Sequence, residues 1–147
     1  MVKAEADQLS EIKGKIIAVL KLLLNGDAIA AEYLLMNILA RVHTRKDAFL
    51  LGNLALNITN VGFLQAQNLA KFIKAIVPLA LHLPVTIDTL ENRRFSPRKN
   101  YDTNLLEAGI LQMIDGTFVI GDETYMKEGV LKDNGIANIK AFATLIE

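Results

Sequence analysis

The sequence predicts a three-layer α/β fold, with α+β the alternative, in a single domain over residues 1–147. Segments with apolar residues three and four apart alternate along the chain with shorter segments in which apolar and polar residues take turns, the pattern of helices layered on strands. Hydrophobic residues make up 52% of the 147, enough for a sizeable core in a chain of this length. No internal repeat or low-complexity stretch interrupts the alternation.

The first helix is predicted to follow Ser10, with Ile12, Ile16, Val19, Leu20 and Leu23 at helical spacing. Asn25-Gly26 supplies a left-handed exit from it, and Asp27 can cap a second helix over "AIAAEYLLMNILARVH". In "AFLLGNLALNIT", Leu54, Leu56 and Ile58 alternate with Ala55, Asn57 and Thr59, which predicts a half-buried strand. "VGFLQAQNLAKFIKAIV" returns to helical spacing, with Phe63, Leu64, Ala70, Phe72, Ile73 and Ile76 largely on one flank, and Pro78 stops it. "LPVTIDTL" predicts another strand. Residues 91–104, "ENRRFSPRKNYDTN", are the most polar stretch and predict a loop. Asp115-Gly116 between the apolar runs "LLEAGILQM" and "TFVIGDE" predicts an antiparallel hairpin. A last helix is expected in "NGIANIKAFATLIE", entered through Asn134-Gly135.

Sixteen basic residues balance sixteen acidic ones, so no global field favours nucleic acid or an anionic membrane. With no cysteine, disulfides, thiolate metal sites and cysteine nucleophiles are excluded together. The apolar run 16–24 is interrupted by Lys21 and falls well short of the roughly 20 residues needed to span a bilayer. Glu5, Asp7 and Glu11 suit neither a secretory signal nor a mitochondrial presequence. The chain therefore reads as a soluble intracellular protein without a membrane partner.

An apolar strand ending in Asp122-Glu123 has the form of the corner where many P-loop ATPases hold Mg²⁺ and polarise a water. Such a corner needs a phosphate cradle of glycines, a lysine and a hydroxyl at a helix start. The matching turn here reads Asn25-Gly26-Asp27-Ala28-Ile29-Ala30-Ala31-Glu32. It has no Gly-Lys-Ser or Gly-Lys-Thr, and Asp27 and Glu32 put carboxylates where phosphates belong, a repulsion only a metal could offset. ATP hydrolysis is not expected, nor a cofactor or a metal site; a cryptic nucleotide-binding protein using Asp122 and Glu123 is the alternative. Asp122-Glu123 reads as a solvated strand end capping the turn that follows. His43 and His82 lie on unrelated elements without ligand spacing.

Arg93, Arg94, Arg98 and Lys99, interleaved with Phe95 and followed by Tyr101, form a basic loop able to contact an acidic protein surface or phosphates. No wider basic face accompanies it, so direct nucleic-acid binding is the alternative rather than the expectation. Ser96-Pro97-Arg98-Lys99 also has the form of a site for proline-directed, cell-cycle-type kinases.

The stretches "LNGDAIAAEYLLMNILARVHTRKD", "LGNLALNIT" and the run from "LPVTIDTL" to "AFATLI" resemble, in that order, the C-terminal region of the mini-chromosome maintenance (MCM) complex-binding proteins over about residues 24–146. Gly26-Asp27 with Ala30-Ala31-Glu32-Tyr33-Leu34-Leu35, and Asp122-Glu123-Thr124 with Gly129, Leu131, Gly135 and Leu145-Ile146, carry the resemblance. It implies a degenerate P-loop NTPase core, AAA+-like, in which Asn25, Gly26, Asp27, Asp122 and Glu123 occupy the places of a lost nucleotide site. It also implies a nuclear, non-enzymatic protein that binds MCM helicase subunits and acts in helicase assembly and unloading and in sister-chromatid cohesion. Family chains are several times longer, so the sequence looks like an excised domain or a reduced homologue.

Overall fold

The computed structural model describes residues 2–46 and 49–146. The chain divides into two compact units, Met1–Pro78 and Leu79–Glu147.

In the first unit, helix α1 (Val2–Leu23) begins well before Ser10. "VKAEADQLSEIK" contains no proline or glycine to break it, and Glu5 sits favourably in the first turn. At its end Asn25 (φ 55°) and Gly26 (φ 90°) are both left-handed, and the Gly26 amide donates to the Lys21 carbonyl at 2.8 Å. Asp27 then caps α2 (Ala28–Leu39), its carboxylate accepting from the Ala30 amide at 2.9 Å. The sequence reading of this corner is borne out, but α2 stops at Leu39 rather than continuing to His43. After α2, strand β1 (Thr44–Lys46) pairs antiparallel with β2 (Phe49–Leu51). Helix α3 (Phe63–Ile76) completes the unit, and α1 packs against both α2 and α3. The side chains buried here are Leu20, Leu24, Ala31, Leu34, Leu35, Leu69, Ala70 and Ile73.

Two expectations for this unit need correction. The predicted strand over 48–59, of which residue 48 lies outside the described residues, is a strand only at Phe49–Leu51. Beyond it Leu54, Leu56 and Ile58 are half-buried while Ala55, Asn57 and Thr59 are exposed, so the period-two alternation is real. Among the described residues, however, no strand pairs with this segment, and the Leu54 carbonyl accepts instead from the Asn37 side chain of α2. On α3, Phe63 and Leu64 are exposed and the buried set is Leu69, Ala70 and Ile73. The first turn of α3 serves α1 instead: the Gln65 amide donates to the Leu23 carbonyl at 2.7 Å, satisfying a group left open at the helix end.

The second unit is built on a parallel pair, β3 (Ala80–Pro84) and β6 (Phe118–Asp122), in register from Ala80↔Phe118 to Pro84↔Asp122. Between them run α4 (Ile87–Asn92) and an antiparallel ribbon of β4 (Arg98–Asn100) and β5 (Leu105–Glu107). After β6 come a 3-10 turn, Glu123–Tyr125, and α5 (Asp133–Ala143). Leu83, Val85, Leu90 and Phe95 form the core, with Ile110, Leu111, Leu131, Ala141 and Phe142 packed on it.

Here the sequence reading fails where pairing is non-local. "LPVTIDTL" is the end of β3 followed by α4, not one strand. Val85, Thr86 and Ile87 are β-branched and read as extended, yet Thr86 accepts from the Thr89 amide at 2.9 Å and caps the helix. The predicted loop 91–104 contains β4. Asp115-Gly116 does make a turn, with Gly116 at φ 82° and the Thr117 amide donating to the Ile114 carbonyl, but no hairpin follows. The amides of Ile110 and Leu111 donate to the carbonyls of Arg94 and Phe95 at 2.8 and 3.1 Å, so residues 110–111 are engaged elsewhere and β6 pairs with β3. Asn134-Gly135 lies inside the first turn of α5 rather than before it.

Candidate functional site

The chemistry closest to a site lies at the carboxyl ends of β3 and β6, where ligands of parallel sheets commonly sit. Asp122 ends β6 and is 5% exposed. Its Oδ2 lies 2.9 Å from His82 Nε2 on the neighbouring strand. Its Oδ1 accepts from the Thr124 amide at 3.0 Å and from the Thr124 hydroxyl at 2.6 Å. Burial pushes the carboxyl up, but the hydrogen bonds from Thr124 and His82 and the charge of His82 outweigh it and hold the group below its ordinary value. Glu123 points to solvent.

The capping part of the sequence reading is borne out, because Asp122 is the cap of the 3-10 turn Glu123–Tyr125. The solvated strand end is corrected: Asp122 is buried and fully partnered, and Glu123 alone is solvated. His82, read as isolated, is the partner that the sequence did not reveal. Period-two spacing places His82 and Leu83 on opposite faces of β3, but nothing local indicates that β6 lies beside β3.

Beyond these strand ends is an open hollow of about 340 Å³ lined by Thr86, Ile87, Asp88, Tyr125 and Lys127. Among the described residues, no group of three or more His, Asp or Glu side chains is close enough to hold a metal ion. No helix among them is long and apolar enough to cross a membrane.

The other half of the nucleotide-site reading falls in the first unit, where Asn25 and Gly26 form the helix exit and Asp27 caps α2. A helix N-terminus attracts anions through its open amides. Asp27 already supplies a carboxylate to the Ala30 amide there, and Glu32 is exposed one turn on.

The basic loop is partly dismantled. Phe95 is completely buried, edge-on to Phe142 with ring centroids 6.4 Å apart, so it is unavailable to stack on a base. Arg94 forms an ion pair with Glu107. Arg93, Arg98 and Lys99 are exposed, with the Lys99 ammonium 5.5 Å from the centre of the Tyr101 ring. Asn138 of α5 was not recognised in the sequence. It is buried, accepts from the Phe95 amide at 3.2 Å and donates to the Leu90 and Arg93 carbonyls at 2.7 Å each. It thereby closes the end of α4 and fixes the start of the basic segment.

A parallel strand pair ending in a buried carboxylate that caps the turn after it defines a mixed α/β protein. A family profile described as "Mini-chromosome maintenance replisome factor" matches residues 1–147. Mini-chromosome maintenance complex-binding proteins of Gallus gallus and Homo sapiens are each 33% identical over 95% of the chain, and that of Arabidopsis thaliana is 35% identical over 93%. The chain belongs to this family, and the similarity reaches beyond residues 24–146 to its whole length. It spans 22% of the length of the chicken and human relatives and 24% of the Arabidopsis one. No solved structure matches the chain.

Proposed function

We propose that this chain is a non-enzymatic interaction domain that binds MCM helicase subunits in the nucleus. Its part in helicase assembly and unloading and in sister-chromatid cohesion belongs to the same reading. The observation that carries it is the 33% identity, over 95% of the chain, to proteins named for binding the MCM complex. The surface of the first unit supports it. On α2, Ile29, Tyr33, Met36 and Leu39 recur at helical spacing and are all exposed. A contiguous apolar stripe of this kind is expected to be covered by a partner.

Comparing pull-down of MCM subunits by the full-length protein and by a version lacking residues 24–146 tests the contribution of the domain. Equal recovery would sink the proposal. Tyr33→Glu and Met36→Glu, which leave the buried Leu34 and Leu35 in place, should lower recovery while the melting temperature stays within a few degrees.

The fold is read here as a three-layer, degenerate AAA+-like core. Support comes from the parallel pair with a carboxylate at its end and from a helix start capped by Asp27 rather than open to phosphate. Isothermal titration with ATP and Mg²⁺ should give no heat, and phosphate release should stay at background. Binding heat or turnover would overturn the reading.

A further inference from the structure

We propose that Ser96 is a phosphorylation site for a proline-directed kinase that also reads a basic residue three positions beyond the acceptor. Prolines occur only at positions 78, 84 and 97, and only Pro97 follows a serine or threonine. Lys99 stands at the third position after Ser96. The structure adds what the motif alone lacks, namely which side of the acceptor is exposed.

Upstream, the chain is fastened. The Phe95 ring is buried, its amide bonds Asn138, and the Arg94 and Phe95 carbonyls accept from Ile110 and Leu111. Gly109 runs so close to the Phe95 and Ser96 backbone that a β-carbon there would overlap it. Downstream, Ser96, Pro97, Arg98 and Lys99 are all exposed, and Arg98–Asn100 are extended as β4, with β5 as the only strand partner among the described residues. The determinants such a kinase reads, the proline and the distal cation, both lie on the exposed, extended side, with Pro97 ahead of the β4–β5 ladder and Lys99 within it opposite Leu106. The core therefore presents the acceptor from a fixed point without having to open.

In the transfer, Ser96 Oγ bonds to the γ-phosphorus of ATP and the bond from that phosphorus to the β–γ bridging oxygen breaks. ADP leaves with the oxygen, and the hydroxyl proton passes to the kinase's catalytic aspartate. The product carries about two negative charges beside Arg94 and Arg98. Arg94 now pairs with Glu107, and Arg98 faces Glu107 in the β4–β5 register. The phosphate competes with Glu107 for the Arg94 guanidinium.

The test treats the full chain with ATP and a cyclin-dependent-type kinase and maps phosphate by mass spectrometry. A peptide of residues 93–101 serves as a control for kinase activity. Phosphate is expected on Ser96 of the folded chain, absent from Ser96→Ala and incorporated several-fold more slowly in Lys99→Ala. A folded chain left unmodified at Ser96 while the peptide is converted overturns the proposal, as does a rate indifferent to Lys99→Ala. For the product, ³¹P NMR titration should place the second phosphate ionisation below its usual value near about 6. It should move back up in Arg94→Gln, and an unchanged titration overturns the competition with Glu107.

Discussion

Asp122 is held by His82 on the strand beside it and by Thr124 in the turn after it. Three hydrogen bonds converge on a carboxylate that is almost wholly out of water, so its charge is compensated. Asp122→Ala leaves the Thr124 amide and His82 without their acceptor, and because neither residue is fully buried the loss is about 1 kcal/mol, the low end for orphaned groups. Chemical denaturation should show it. Because the folded carboxyl titrates below its ordinary value of 3.8, the unfolded chain binds more protons between the two values. The stabilisation is thus complete above 3.8 and lost as pH falls through the lowered folded value. Asp122→Asn should flatten that part of the acid limb of a stability-against-pH curve. At the other corner, Asp27→Ala removes one helix cap, costing about 1 kcal/mol. An equal loss in Asp27→Asn would mean that charge, rather than the hydrogen bond, stabilises the helix start.

The helix boundaries at the Asn25–Asp27 corner and before Pro78 were legible in the sequence, and strand partners were not. Asn25, Gly26 and Asp27 act on groups within a few residues of themselves, so their meaning is local and reads directly. The exit turn, the second helix start and the stop at Pro78 all follow from chemistry of that range. By contrast His82 and Asp122 are 40 positions apart, and Phe95 meets Asn138 across 43. No local pattern encodes such a distance, so Phe95 reads as a member of a cationic loop although it is the most buried aromatic of its unit. Asn138 offers the sharpest check at this scale. Asn138→Ala leaves two carbonyls and one amide unpaired in the interior and should cost about 2–4 kcal/mol, treating the orphaned groups as partly relaxed. Hydrogen exchange should locate the loss at the end of α4. Gly121→Ala is expected to destabilise as well, since its β-carbon would sit 2.8 Å from the Phe142 ring.

For the whole chain, balance of charge and exposure of apolar surface act together. Net charge is zero at pH 7 and the isoelectric point is about 6.7, while the α2 stripe lies open to water. With no net repulsion to keep molecules apart, the chain should scatter light most strongly near pH 6.7 and least well above it. Tyr33→Glu should suppress the maximum, and persistence of the maximum would remove the stripe as its cause. The parallel joining of β3 to β6 has a consequence in time. Helices α1 and α2 meet through a short corner and can form as soon as both have been synthesised. Strand β3 emerges without a neighbour, because its partner is separated from it by α4 and the whole β4–β5 ribbon. Until translation passes Asp122, neither the strand pair nor its His82 lock can close. The second unit must therefore assemble late, with β3 as the edge most in need of protection while the ribosome is still working.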